Sequence, residues 1–286
     1  MTKNTPVRSR WMILIGCILG CGTTGGAYIW NVFKPRLMDQ FGWSATSTTL
    51  IYSCMIGMIF LSGLVVGKFS DKRSPKKLAI CGSCLYALGW ILAGFVTTLP
   101  MMFLCISVIV GIGNGMLYTN CISVATKWFP DKKGLATGCV VAGCNATSLI
   151  CSPISNFFGE RFGASRSLTL MGVVFAAMYL VGMLCIKDNP PEGWRPAGWL
   201  PEKAKVEFIS SKEFTRKEML STGMFWIMLL IFICAQCSGQ LIVSSASSIG
   251  QAMIGLSAAA GAMMSSFNSF GNVAGRLSTG SAFWWC

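Results

Sequence analysis

The sequence predicts an all-α, polytopic membrane protein. Hydrophobic residues make up 53% of its 286 residues and charged residues only 12%, and the mean hydropathy is +0.61. A soluble domain of this size needs more charged side chains to cover its surface, whereas a bilayer removes that need. The apolar residues also form runs of about 20 residues or more, long enough for a helix to cross roughly 30 Å of hydrocarbon. Together these observations favour a bundle of membrane-spanning helices.

Eight apolar runs are predicted to span the membrane, six before one long polar connection and two after it. This arrangement is typical of membrane proteins built from two helical halves. The first run is too long and too rich in glycine for a cleaved signal segment, so we expect it to be retained. The sequence therefore predicts a six-helix N-terminal half over 1–186, a cytoplasmic linker over 187–221, and two helices that begin a second half over 222–286. The predicted spans are 11–33, 46–69, 78–97, 101–126, 134–157, 167–186, 222–249 and 256–283.

Lysine and arginine residues are concentrated on one side of these spans. With the N-terminus in the cytoplasm, only Lys34, Arg36, Arg161 and Arg166 fall in the outer loops. The positive-inside rule therefore predicts a multi-pass protein of the cell's inner (cytoplasmic) membrane with a cytoplasmic N-terminus. The net charge of +13 does not indicate a nucleic-acid partner, because the basic residues lie in short loops and not on one polar face.

The linker between the sixth and seventh spans has recognisable ends. It begins with the turn-rich run from Asn189 to Trp194, and it finishes with Thr215 and Glu218 at the spacing of a capping box. In such a box the Thr215 hydroxyl accepts from the third helical N–H group while Glu218 reaches back to the cap. We therefore predict a short helix along the inner surface that leads into the seventh span.

The 14 cysteines lie almost entirely within the apolar runs. Two C-x-x-C pairs occur, Cys81 with Cys84 and Cys234 with Cys237, and the chain contains no histidine. Zinc and redox sites need a polar surround and usually a second pair nearby, so we interpret these thiols as packing residues. No metal or other cofactor is expected. No enzyme activity is expected either, because a chain without histidine or buried acids has no general acid–base pair.

The loop after the second span carries the most informative motif, Gly67-Lys68-Phe69-Ser70-Asp71-Lys72-Arg73-Ser74-Pro75-Lys76-Lys77. Gly67 permits close approach of a neighbouring helix, and Asp71 at the helix end can pair with cations or cap an adjacent helix. The motif resembles the loop between helices two and three of the major facilitator superfamily, with Ser74 in place of a glycine. The alternative is a basic loop that only sets the topology. The resemblance implies a cytoplasmic gate formed by Gly67, Asp71, Lys72, Arg73, Lys76 and Lys77.

Four further strings are Phe41-Gly42-Trp43-Ser44, Lys127-Trp128-Phe129-Pro130-Asp131-Lys132-Lys133-Gly134, Asn272-x-x-x-Arg276-x-x-x-Gly280 and Ser74-Pro75-Lys76-Lys77. They resemble strings of one family within that superfamily, the oxalate:formate antiporters, whose Gly-Pro-Arg-Lys is close to the last of them. The monocarboxylate carriers share much of the same pattern. The resemblance covers nearly the whole chain and implies twelve helices, alternating access, and exchange or uptake of small carboxylates. We therefore expect a C-terminally truncated member of the family, and the alternative is a natural protein of eight spans.

Arg276 is the strongest candidate for contact with a substrate. An arginine inside a span costs about 2.5–3.5 kcal/mol on insertion scales, so it faces a cavity or a partner. No Asp or Glu lies inside any predicted span, and a guanidinium matches a carboxylate bidentately. By resemblance, Arg276 corresponds to the helix-eight arginine that contacts substrate in the family. The alternative is an arginine whose side chain snorkels to the cytoplasmic interface.

Aromatic and amide side chains complete the predicted substrate site. Tyr28 and Trp30 lie in the first span, Tyr118 lies in the fourth, and Asn272 lies one turn before Arg276. A tyrosine can donate one hydrogen bond to an anion while its ring shapes the cavity, and by resemblance Tyr118 aligns with a tyrosine that lines the family's path.

The sequence therefore predicts transport of small mono- or dicarboxylates by alternating access. Antiport or facilitated exchange is favoured over proton coupling, because the predicted spans contain no histidine, aspartate or glutamate that could relay protons. The alternatives are a membrane fragment that does not transport and a superfamily carrier of another small solute. The expected partners are a small carboxylate and the lipid bilayer, with the protein as a monomer.

Overall fold

A computed structural model of the chain describes residues 7–70, 74–186, 188–191, 194, 196, 216–255, 270–276 and 278. Within these ranges the chain forms helices joined by turns, and no strand occurs among them. Five helical runs of the described chain are long and apolar enough to cross a membrane by length and composition. The chain forms two compact units, one of Met1–Pro196 with Asn272–Cys286 and the other of Ala197–Gly271.

The first predicted span consists of two helices. Helices α1 (Val7–Thr23) and α2 (Gly26–Phe41) meet at Thr24 and Gly25, inside the apolar stretch Arg10–Trp30. Across the junction, backbone N–H groups donate to the carbonyl three residues earlier, as in a 3₁₀ turn. The Gly25 N–H, for example, donates to the Gly22 carbonyl at 2.9 Å. The run Gly22-Thr23-Thr24-Gly25-Gly26 explains the change, because glycine weakens a helix and threonine hydroxyls bond to nearby carbonyls. The predicted span 11–33 therefore agrees with an apolar stretch long enough to cross a membrane, and it contains a junction between two helices.

The next three predicted spans agree with the structure to within a few residues. Helix α3 (Ala45–Ser70) follows a turn in which the Ser47 N–H donates to the Ser44 hydroxyl at 3.1 Å. Helix α4 (Pro75–Ala93) begins with proline, whose missing N–H is tolerated in a first helical turn. The fourth span runs through α5 (Leu99–Met102), a π-helix (Phe103–Val110) and α6 (Gly111–Trp128).

Helix α7 (Lys133–Cys185) contains both the fifth and the sixth predicted spans. Its backbone leaves the helical region at Gly163, with φ 78° and ψ 170°. That conformation is open mainly to glycine, so Gly163 marks the turn between the two spans. The predicted spans 134–157 and 167–186 lie on either side of it.

The first unit is held together by helix packing around α6 and α7. Helices α1, α3 and α4 contact α6, and helices α1, α2 and α4 contact α7. One apolar cluster contains Trp30, Trp90 and Phe175, and a second contains Ile13 and Trp128. The outer faces of the helices carry exposed large apolar side chains, which suit contact with lipid. They include Phe60, Leu64, Leu180 and Leu184.

The second unit contains α8 (Arg216–Ser221) and α9 (Gly223–Ile254). The Trp226 indole donates to the Leu220 carbonyl at 2.9 Å and so ties the start of α9 to α8. Helix α9 corresponds to the predicted span 222–249, and α8 to the predicted short helix before it. Thr215, the expected cap, lies outside the described residues, as does most of the predicted span 256–283.

Candidate functional site

The arginine predicted to contact substrate is held by amide groups. Arg276 donates through Nε to Oδ1 of Asn272, one turn earlier, at 2.6 Å. Asn145, on α7, donates through Nδ2 to the same oxygen at 3.1 Å. A guanidinium can only donate, so the Asn272 atom that faces it must be the oxygen, and a carboxamide oxygen can accept two hydrogen bonds. All three residues belong to the first compact unit.

Two predicted tyrosines lie close to this group. Tyr28 on α2 and Tyr118 on α6 are both within electrostatic range of Arg276, and neither is fully buried. The structure therefore brings Arg276, Asn272, Tyr28 and Tyr118 to one region of the bundle. Such a set offers a positive charge and two hydroxyl donors, which is the chemistry that binds an anion.

Asn145 was missed by the sequence reasoning. It lies inside the apolar run 134–157 and is only 8% exposed. The sequence pattern singled out the amide of Asn272 through its spacing from Arg276, whereas Asn145 has no such motif around it. The available signal was a carboxamide inside an apolar span, because such a group needs hydrogen-bond partners just as an arginine does.

Trp30 lies in the packed interior of the bundle. Its side chain is 1% exposed, and its indole N–H donates to the Thr48 carbonyl at 3.2 Å. The bond joins α2 to the first turns of α3, and the ring belongs to the larger apolar cluster. Trp30 thus packs helices together in this structure, and the substrate contact expected of it stays a prediction.

Polar groups line the junction between α1 and α2. Asn114 of α6 donates through Nδ2 to the Thr24 carbonyl at 3.1 Å. The Cys144 sulfur on α7 lies 3.1 Å from both the Thr24 hydroxyl and the Cys21 sulfur. Cys144 is also within electrostatic range of Arg276. The junction is therefore fixed by α6 and α7, and Cys144, which contacts it, lies within electrostatic range of Arg276.

The predicted gate is described only in part. Asp71, Lys72 and Arg73 lie outside the described residues. A side chain built on Gly67 meets no described atom within 4 Å, whereas one on Gly63 would lie 3.0 Å from the Thr119 hydroxyl. The close helix approach expected at Gly67 is therefore found at Gly63 in the described part of the chain.

The remaining gate residues, Lys76 and Lys77, lie in the first turn of α4, where a carboxylate from another segment caps the helix. Asp188 accepts from the Ser74 hydroxyl and, at 3.4 Å, from the Lys76 N–H group. The Asp188 carbonyl also accepts from the Trp128 indole at 3.0 Å. The segment after α7 therefore joins the start of α4 to the end of α6.

Comparison with known proteins gives one consistent family. A model of the Major Facilitator Superfamily matches residues 12–283. The uncharacterized MFS-type transporter YhjX of Escherichia coli strain K12 is 25% identical over 98% of this chain and 67% of its own length. The oxalate:formate antiporter of Oxalobacter formigenes is 24% identical over 86% of this chain and 56% of its own. Monocarboxylate transporter 1 of Mus musculus is 26% identical over 71% and 39%.

A solved structure shares the fold. The crystal structure of the POT family transporter PepTSo, determined in meso, matches with a TM-score of 0.50 at 18% identity. The match covers 95% of this chain and 53% of that one. The chain thus spans about half to two thirds of the length of YhjX, the oxalate:formate antiporter and PepTSo.

Proposed function

The chain belongs to the Major Facilitator Superfamily, and from that premise we propose that it moves small organic anions, mono- or dicarboxylates, across the cytoplasmic membrane by alternating access. The observation that carries the proposal is the position of Arg276, held by Asn272 and Asn145 beside Tyr28 and Tyr118. The names of two relatives, an oxalate:formate antiporter and a monocarboxylate transporter, agree with a carboxylate as substrate.

The chemistry of the contact favours an anion over a neutral solute. A carboxamide orients the guanidinium without contributing a negative charge. A carboxylate that enters can therefore form charge-assisted hydrogen bonds, which are about twice as strong as those between neutral groups. The hydroxyls of Tyr28 and Tyr118, within electrostatic range of Arg276, would add hydrogen-bond donors.

The proposed topology has a cytoplasmic N-terminus, with a six-helix half over 1–186 and a cytoplasmic linker over 187–221 before the second half. The distribution of basic residues supports it. Exchange or facilitated flux fits the sequence better than proton coupling, because the predicted spans contain no histidine, aspartate or glutamate.

Protection against thermal unfolding in detergent tests the proposal on the 286-residue chain. Oxalate and formate should raise the melting temperature, whereas their neutral analogues oxamide and formamide should not. Arg276→Gln should weaken carboxylate binding by about 100-fold or more, because the substrate charge is left uncompensated in a partly buried site. Arg276→Lys should keep part of the affinity, since it retains the charge and loses the planar fork.

Arg161→Gln is the matched control. It makes the same chemical change at an exposed arginine next to the Gly163 turn, and it should leave protection by carboxylate unchanged. Equal protection by oxalate and oxamide, unchanged protection in Arg276→Gln, or no protection of the parent chain would each overturn the proposal.

A further inference from the structure

We propose that Asn145 and Asn272 form a neutral amide clamp that positions Arg276 for its anion without cancelling its charge. This inference rests on the proposed function, since it assigns Asn145 as a positioning residue for the same site. The clamp can be measured by its effect on stability without ligand, and its role in binding by carboxylate affinity.

The direction of each hydrogen bond in the clamp is fixed by chemistry. Arg276 has no acceptor atom, so Oδ1 of Asn272 must face its Nε, at 2.6 Å. That oxygen then requires a donor from Asn145, which supplies Nδ2 at 3.1 Å. Both lone pairs of the oxygen are used, and the Asn272 amide has one orientation that satisfies both neighbours. The guanidinium is therefore held in a defined plane by a chain of two amides.

Asn145 differs from the serines that follow it on α7. Ser148, Ser152 and Ser155 donate to carbonyls three or four residues earlier on the same helix. Asn145 instead donates to a residue 127 positions away. A local bond satisfies a hydroxyl at little cost, but an amide placed in an apolar span without a partner loses its hydrogen bonds to water. The long-range bond to Asn272 therefore gives a physical reason for an asparagine at this position.

The two amides are neutral, and this property matters for binding an anion. An aspartate at either position could have held Arg276 through an ion pair, and a partly buried pair of this kind is a common structural solution. It would also place a negative charge where the substrate carboxylate must bind, and like charges at contact distance oppose each other. Two carboxamides provide the same geometry and add no charge. The clamp therefore favours binding of an anion by the arginine.

A double-mutant cycle tests whether Asn145 acts through Arg276. Asn145→Leu should weaken formate and oxalate binding on the order of tenfold, because it removes one orienting hydrogen bond. In an Arg276→Lys background the same change should alter affinity less than about twofold, since the ammonium of lysine has no planar fork to orient. Two additive effects would overturn the positioning role, because a purely structural residue affects both backgrounds equally.

Two further variants separate charge from shape. Asn145→Asp keeps the size of the side chain but adds a negative charge, and it should lose carboxylate binding at least as severely as Asn145→Leu. Asn120→Leu is the matched control, because Asn120 is an equally buried amide that donates to the Pro75 carbonyl at 2.5 Å. It should lower the melting temperature and leave carboxylate affinity within about twofold of the parent value. Parent-like binding in Asn145→Asp would contradict the clamp.

The clamp can also be measured without any ligand. Asn145→Leu and Asn272→Leu remove the two ends of one hydrogen bond, so their effects on the ligand-free melting temperature should be less than additive. If this coupling is present and the parent chain binds no carboxylate, the clamp stands and the proposed function fails. If carboxylates bind but the coupling is absent, the function stands and the clamp fails.

Discussion

Two interruptions of the helical backbone in the described chain, one within a span and one between spans, are held by different interactions. The junction at Thr24 and Gly25 lies within the apolar stretch Arg10–Trp30, and it contacts Asn114 on α6 and Cys144 on α7. At Gly163, in contrast, a built side chain would meet no described atom within 4 Å. Exposed charged residues, Glu160 and Arg161, immediately precede this second interruption.

The difference reflects the two environments. Inside an apolar span, backbone groups that leave the regular helical pattern cannot bond to water, so neighbouring helices must supply partners. In a polar connection water supplies those bonds, and the backbone needs only a residue that tolerates a positive φ. The first junction is therefore bonded to neighbouring helices and lies within electrostatic range of Arg276 through Cys144, whereas the second is a local turn. Changes at the first should affect both stability and binding, and changes at the second only stability.

The largest expected effect comes from Gly25→Ala. The new methyl group would collide with the Cys144 carbonyl, a backbone group that cannot rotate away. We expect a loss of about 2–3 kcal/mol in the free energy of unfolding, measured by denaturant titration in detergent. Gly57→Ala is the control, because its built side chain meets nothing within 4 Å and alanine favours a helix by about 0.5–1 kcal/mol over glycine. Equal effects of the two substitutions would show that the junction is not tightly packed.

The two interruptions also show what the sequence could predict. Hydropathy predicted the six N-terminal spans to within a few residues of the helices in the structure, because a helix is one of the few structures that satisfy the backbone in lipid. It did not predict the junction near Gly25, since apolar composition says nothing about backbone conformation; the run of glycine and threonine was the available signal. Composition likewise could not tell which face of a helix holds Trp30, which proved to lie in the core. Asn145 was missed because its partner, Asn272, is distant in sequence.

A smaller effect is expected from Gly163→Ala. The backbone there has φ 78° and ψ 170°, a region essentially restricted to glycine, so a side chain adds strain of about 1–2 kcal/mol. Stability should fall by that amount, and carboxylate affinity should not change. Gly42→Ala provides a comparison at φ 67° in another turn, again with nothing near the new methyl group. A change in affinity with Gly163→Ala would contradict the division between a coupled junction and a local turn.

The smallest effects concern one hydrogen bond at each interruption. Asn114→Leu removes the bond to the Thr24 carbonyl, and Ser167→Ala removes the bond that the Ser167 hydroxyl donates to the Gly163 carbonyl at 2.5 Å. The Asn114 bond joins two helices in an apolar environment, so its loss should cost about 1 kcal/mol. The Ser167 bond is local to α7, and its loss should cost less than about 0.5 kcal/mol.

Binding should separate the same two variants more clearly than stability does. The Thr24 hydroxyl contacts Cys144, which lies within electrostatic range of Arg276, so a shift of Thr24 after Asn114→Leu can alter the proposed anion site. We expect a carboxylate affinity that is several-fold weaker in Asn114→Leu and unchanged in Ser167→Ala, measured by thermal-shift titration with oxalate. Equal affinities in the two variants would mean that the junction between α1 and α2 supports the fold alone. A weaker affinity in Asn114→Leu only, at nearly equal stability, would tie this junction to substrate binding.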